Sequence, residues 1–203
     1  MTSAKPNPRR LASLRLHFKK TQERRHQNLD FIMDETDNGK WYIRIRNIDA
    51  DEYRAGQYIV EMQAPAEYPF KPPKFFFRTP NGLYEINKEI CISIGHYHSD
   101  NYESGRVKMG GFARELVNGF VNWREMGGGI NLLHTSALEK RELSVKSNAF
   151  NLKNYADLLR QFNEMDANIL YGKLEASGHS VKVRKMMMKF LRLDGPGWWE
   201  GDA

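Results

Sequence analysis

Cys91 is the only thiol in a chain of 203 residues, and the residues near it in sequence are of the kinds that acyl-transfer chemistry uses. Asn81, His96, His98, Asp100 and Asn101 lie within twenty positions of it. They fall in a segment, Thr79 to Arg106, where hydrophobic periodicity fails and Gly, Asn, Ser and His accumulate. An irregular segment of that length in a compact domain is more often functional than not. A thiol nucleophile needs a reachable sulfur with thiolate character and a donor for the oxyanion of a tetrahedral intermediate. An Asn amide can be that donor, and a carboxylate or imidazole can orient or deprotonate an attacking group. A lone cysteine without such company is usually an inert buried residue. Zinc is the rival reading of Cys91, His96 and His98, but neither C-x-x-C nor H-x₃-H spacing is present to complete a four-ligand site, so no metal is expected. A papain-like Cys–His pair would need a histidine brought in by the fold, and the strand-rich half before the cysteine argues against it.

The elements that must position these residues follow from periodicity. Leu11, Leu14 and Phe18 recur at helical spacing, predicting an amphipathic helix over 9–27. Leu29, Phe31 and Met33, then Trp41, Ile43 and Ile45, then Tyr58, Val60, Met62 and Ala64 alternate as strands do, and Phe75–Phe77 forms a fourth short run. Asn38-Gly39 favours a tight hairpin turn between the first two strands, and Tyr68-Pro69 with Pro72-Pro73 marks strand boundaries, since proline cannot donate to a ladder. Helical spacing resumes at Met109, Phe112, Leu116 and Phe120, predicting a helix over 107–123. Ser136 with Glu139 three residues later is a capping-box pattern that starts a helix to about Ser147. Tyr155, Leu158, Phe162, Met165 and Ile169 mark a longer helix, and Val183, Met186, Met187 and Phe190 a last one. One helix, four strands in an antiparallel meander, then helices make the class α+β. Met186–Met188 and Trp198-Trp199 support no functional assignment alone.

Composition narrows the class. Apolar residues make up 40% of the chain and charged residues 28%, the balance of a globular protein. Nothing approaches the roughly 20 consecutive apolar residues of a membrane span, and the polar start at Met1–Arg10 does not resemble a secretory signal. The formal charge is +6, yet Met1–Asn28 alone carries +7, leaving −1 for the rest. The excess therefore belongs to the N-terminal element and suits an acidic partner. Aromatics do not interleave with those charges, which argues against nucleic acid. One cysteine forms no internal disulfide, so a reducing compartment, cytoplasmic or nuclear, is expected.

Tyr68-Pro69-Phe70-Lys71-Pro72-Pro73-Lys74, then Thr79-Pro80-Asn81-Gly82, then Glu89-Ile90-Cys91-Ile92-Ser93-Ile94 together resemble the ubiquitin-conjugating enzymes. Most of that family has His-Pro-Asn, its Asn eight residues before the catalytic Cys. Thr-Pro-Asn-Gly and a spacing of ten are similar to the J-class branch, which is tail-anchored in the endoplasmic reticulum. The resemblance continues through Tyr97-His98, Gly129-Ile130 and Thr135–Ser147. It implies the family's fold, with a long active-site loop, and a thioester mechanism. Cys91 would take ubiquitin, or a related modifier, from an activating enzyme and pass it to a substrate amine, or in this branch a hydroxyl, usually with a ligase. Asn81 would stabilise the oxyanion or hold the loop, and His98 and Asp100 would orient or deprotonate the acceptor. Arg9, Arg10, Arg15 and Lys19 would meet the activating enzyme, and Phe70 a ligase. No bound cofactor is implied, because ATP and magnesium are used by the activating enzyme.

The family's Trp after the cysteine is Tyr102 here, and its proline-containing ligase loop is Glu103–Arg106, so the type of ligase is not implied. The branch's membrane anchor is not recognisable, so its address does not carry over. The expected organisation is a flexible stretch over 1–8, a catalytic core over 9–150 and a helical extension over 151–203 without an anchor. A non-catalytic ubiquitin- or partner-binding module on the same scaffold is the alternative, and a basic nucleic-acid-binding module the third reading.

Overall fold

The structure, a computed structural model, describes residues 8–90, 109–126 and 131–176. The elements run α1 (Pro8–Glu23), β1 (Leu29–Met33), β2 (Lys40–Arg46), β3 (Gln57–Gln63), β4 (Lys74–Phe77), α2 (Met109–Val121), α3 (Ala137–Asn154) and α4 (Ala156–Ala176). The four strands form one antiparallel meander in the order β1-β2-β3-β4, giving the expected α+β class.

Period-2 alternation decides which side chains go inward. Trp41, Ile43, Ile45, Tyr58, Val60, Met62, Phe75 and Phe77 are all fully buried on one sheet face. The register Ile43↔Val60 and Val60↔Phe77 puts them in adjacent rows. On the opposite face, Asp30 pairs with Arg44 (2.8 Å) and Arg46 (2.9 Å), and Glu61 with Arg78 (2.9 Å). Two helices cover the apolar face. α1 contributes buried Leu14 and half-buried Phe18, whose ring meets Trp41 edge-on at 5.2 Å. α2 buries Phe112, Ala113, Leu116, Val117 and Phe120, and Phe120 stacks on Tyr58 at 4.9 Å. Buried Glu52 accepts from Arg124 (2.7 Å) and Arg141 (3.3 Å), fastening α3 to the turn after β2.

Several boundaries differ from the sequence reading. α1 ends at Glu23 rather than 27, because His26 and Leu29 form a bridge that turns the chain into β1. The β1–β2 connection is not an Asn38-Gly39 two-residue turn. It spans 34–39 and is organised by the Asp34 carboxylate, which accepts from Thr36 N (2.8 Å), the Thr36 hydroxyl (2.7 Å) and Asp37 N (3.1 Å). Those bonds hold Asp34 below the usual carboxylate range, and the Asx side chain outcompetes the positive-φ turn that the dipeptide favours. Ser136 does cap α3, accepting from Glu139 N at 3.1 Å, but the helix runs past Ser147 to Asn154. The chain divides into two compact units, Met1–Asn151 and Leu152–Ala203. In the second, α4 has Phe162 and Ala167 buried and an Arg160–Asp157 pair at 2.9 Å. The expected helix over Val183–Phe190 and the Trp198-Trp199 pair lie outside the described residues. No described helix is long and apolar enough to cross a membrane.

Candidate active site

The chain leaves β4 and doubles back along it before it reaches Cys91. Asn87 N donates to Phe77 O and Ile90 N to Phe75 O, both at 2.9 Å, so residues 86–90 lie against the sheet edge. Salt bridging of Lys74 to Glu89 (2.7 Å) and donation by Arg78 to Asn87 Oδ1 (2.6 Å) reinforce that edge. A third strand of contacts comes from 131–133. Glu85 N donates to Asn131 O (2.9 Å), Leu133 N to Leu83 O (2.7 Å), and Asn131 Nδ2 to Glu89 O (2.7 Å). Ile90, the residue before the thiol, is buried. Cys91, His98 and Asp100, together with His96, Asn101 and Tyr102, lie outside the described residues.

Asn81 is described fully, and its carboxamide is saturated. Its Oδ1 accepts from Leu83 N (2.9 Å) and Tyr84 N (2.7 Å), while its Nδ2 donates to Thr79 O (3.0 Å) and Tyr84 O (3.3 Å). The side chain is 1% exposed. An amide has two donors and one acceptor oxygen with two lone pairs, so every position is used within residues 79–84. This is the geometry of a loop organiser. The neighbouring Gly82 has φ +76°, and a Cβ there would meet Thr135 Oγ1 at 2.8 Å. Only glycine adopts that conformation in that space without strain. Tyr84 closes the loop from below. Its ring stacks on Phe77 at 4.4 Å, its hydroxyl donates to Leu116 O at 3.3 Å, and burial pushes its phenol up.

The expected partner-binding residues are spread over two surfaces. Arg15 and Lys19 are exposed on α1, Lys19 within reach of Glu23 at 3.8 Å. Arg9 is exposed too. Arg10 is used inside the fold: its Nε donates to Pro65 O (2.8 Å) and its Nη2 to Ala64 O (2.7 Å), tying the N-terminal helix to the segment after β3. Phe70 is 72% exposed, a large aromatic held outward by a turn in which Phe70 N donates to Glu67 O (2.8 Å). His17 on α1 hydrogen-bonds the Tyr68 hydroxyl at the start of this turn, and burial, then Lys20, hold its imidazole below the usual value. Among the described residues, no group of three or more His, Cys, Asp or Glu side chains is placed to hold a metal.

Sequence reasoning missed Lys140 and Asn151 and read Thr79 only as part of its motif; all three are buried polar residues whose side chains bear on this loop. Thr79 Oγ1 donates to Asn151 Oδ1 at 2.6 Å, and Lys140 Nζ donates to Thr135 O at 2.5 Å and to Thr135 Oγ1 at 2.8 Å. Polar residues at helical spacing ordinarily mark a solvated face, so the sequence carried no signal for Lys140 and Asn151.

Comparison with known proteins agrees with this architecture. The family model for the ubiquitin-conjugating enzyme matches residues 13–115, just over half of the chain. Human ubiquitin-conjugating enzyme E2 J2 is 32% identical over 116 residues, covering 57% of this chain and 43% of the relative. Ubiquitin-conjugating enzyme E2 32 of Arabidopsis thaliana is 44% identical over 64 residues, 32% of this chain and 21% of the relative. A solved structure described as a candidate ubiquitin conjugating enzyme from Plasmodium yoelii superposes with a TM-score of 0.53 at 15% identity, over 73% of this chain and 97% of that one. That likeness speaks for the fold alone. The chain spans less than half the length of the curated relatives it matches. The sheet, the loop from β4 towards Cys91 and the family match lead to one conclusion: this chain belongs to the ubiquitin-conjugating enzyme family.

Proposed function

We propose that the chain accepts ubiquitin as a thioester on Cys91 from an activating enzyme and transfers it to a substrate amine, with a hydroxyl as the other acceptor. The observation that carries this reading is the saturated Asn81 loop. It sits inside the family match, one hydrogen-bonded segment ahead of Cys91. In the first step the Cys91 thiolate attacks the carbonyl carbon of the activating enzyme's thioester, and that enzyme's thiolate leaves. In the second, the acceptor nitrogen attacks the Cys91 thioester, loses a proton and expels the Cys91 thiolate. Asn81 holds the loop ahead of Cys91 in the chain, and His98 and Asp100 orient or deprotonate the acceptor. Exposed Arg15 and Lys19 on α1 support docking of an acidic surface on the activating enzyme, with an encounter rate that falls as salt rises. Exposed Phe70 supports a ligase contact.

The test is a charging reaction with activating enzyme, ubiquitin, magnesium and ATP, resolved with and without reductant. Wild type forms an adduct that thiols remove, Cys91→Ala forms none, and Cys91→Ser forms one that resists thiols but yields to hydroxylamine. Failure of wild type to accept ubiquitin or any related modifier would replace this reading with a non-catalytic binding module.

A further inference from the structure

The helix α3 is built inside out. Its buried residues are Lys140, Ser144, Ser147 and Asn151, each at most 1% exposed, while Leu138, Val145 and Leu152 are each about two-thirds exposed. The spacing of both sets is helical, so the helix has a polar stripe facing the protein and an apolar stripe facing away. A buried polar stripe is costly where a group lacks a partner. Ser144 Oγ has none among the described residues, Ser147 bonds Gln57, and Asn151 and Lys140 find theirs at the two ends of the active-site loop.

At the first end, Thr79 Oγ1 accepts from Ile59 N at 2.9 Å, which leaves its hydroxyl hydrogen for Asn151 Oδ1 at 2.6 Å. That fixes the orientation of the Asn151 amide, whose Nδ2 donates to Gln57 O at 2.7 Å; the flipped amide would set oxygen against oxygen. Ser147 Oγ accepts from Gln57 N at 2.9 Å, so both backbone groups of Gln57, the first residue of β3, are held by α3. At the second end, Lys140 can only donate, and its ammonium contacts Thr135 O, Thr135 Oγ1 and, at 4.5 Å, the face of Trp123. The Thr135 hydroxyl hydrogen is therefore free for Gly82 O, which it reaches at 2.6 Å. Between the two ends lies Asn81, whose Nδ2 is bonded to Thr79 O.

We propose that α3 is the positioning element of the active-site loop: Asn151 holds Thr79, Lys140 acting through Thr135 holds Gly82, and together they set the Asn81 carboxamide. Thr79, where most of the family carries histidine, is the residue through which Asn151 acts. The consequence for catalysis rests on the thioester function proposed above; the consequence for the loop does not. On this proposal the positioning residues act on acyl transfer out of Cys91 and leave acceptance of ubiquitin from the activating enzyme unaltered.

The experiment uses the full chain, isotope-labelled, and reads the side-chain NH₂ pair of Asn81 and the amide signals of Leu83 and Tyr84. Thr79→Val and Asn151→Leu shift all three, Thr79→Ser restores them by keeping the hydroxyl, Lys140→Met shifts Leu83 from the other end, and Val145→Ser moves none. The same proteins are then charged and chased with free lysine. Discharge falls roughly tenfold in Thr79→Val, Asn151→Leu and Lys140→Met, with charging within about twofold of wild type and recovery in Thr79→Ser. Unmoved Asn81 signals in the folded variants overturn the clamp. Shifted signals with unchanged discharge overturn its part in transfer. Should wild type not charge at all, the thioester reading falls while the spectra still judge the clamp. Lys140→Met probes the opposite end of the loop, so misfolding of Asn151→Leu does not remove the test.

Discussion

Two helices of nearly opposite design meet the same core unit. α2 buries Phe112, Ala113, Leu116, Val117 and Phe120, whereas α3 buries a lysine, two serines and an asparagine. The first is held by hydrophobic burial, which is non-directional and scales with area. The second is held by hydrogen bonds, which demand particular atoms at particular distances. Burial alone tolerates side chains of similar volume, while a bonded stripe does not. A helix that must fix a loop to within a fraction of an ångström gains from the second kind of contact, because slippage breaks bonds rather than merely rearranging packing.

The comparison can be broken by substitution, beginning with the largest effect. Phe120→Ala removes a fully buried ring that contacts Tyr58, Tyr53, Phe77 and Tyr84, and should cost about 3–5 kcal/mol of stability in denaturant unfolding. The volume-conserving Leu116→Met on the same helix should cost less than about 1.5 kcal/mol. Asn151→Leu is also close in size, yet it leaves the Thr79 hydroxyl without its acceptor and the Gln57 carbonyl without its donor. Each stranded group costs about 1–3 kcal/mol. If Asn151→Leu proves as mild as Leu116→Met, the distinction between the two helices fails.

Gly82→Ala comes next. It places a Cβ at positive φ against Thr135 and should destabilise by about 1–3 kcal/mol, with the loss read from the melting curve. A smaller, pH-dependent effect belongs to α1 and the turn that follows it. Burial holds His17 below its ordinary value, and His26 is lowered in the same way, first by burial and then by Arg114. The unfolded chain therefore binds more protons than the native one as pH falls through the histidine range. Stability is fully present above about pH 6.5 and is lost as pH drops towards the folded-state values. His17→Asn should flatten the melting temperature between pH 7.5 and 5.5 relative to wild type, and an unchanged slope would mean that His17 does not contribute. Val145→Ser, on the exposed stripe of α3, should stay within about 0.5 kcal/mol of wild type.

The legible parts of the sequence were those governed by burial. Trp41, Ile43 and Ile45 alternate because one sheet face is apolar, and Phe112, Leu116 and Phe120 recur because one helix face is. The Ser136–Glu139 cap was legible for a related reason, since it is a local bond between residues three apart. The Asn38-Gly39 turn was misread because Asp34, four residues upstream, offers the backbone a stronger partner. The α3 stripe was illegible: Lys140, Ser144, Ser147 and Asn151 read as a solvated face until their partners are known. Arg10 reads as one more basic residue on a charged helix, yet it bonds two carbonyls more than fifty residues away.

By itself the sequence determined the strand order, the inward rows of the sheet, the apolar faces of α1 and α2, and the motif Thr79–Gly82 ahead of Cys91. Those features depend on periodicity and on near neighbours, which a linear string contains. The tertiary structure decided that Asn81 is saturated by its own loop, that Gly82 must be glycine against Thr135, and that the polar side of α3 faces inward. The Asn81 bonds are local but close only once the loop has its folded shape, and the other two depend on partners far along the chain: Thr79 and Asn151 are separated by 72 positions and Gly82 and Thr135 by 53. A hydrogen bond is selected by the distance and direction between two atoms, and only the folded chain sets those.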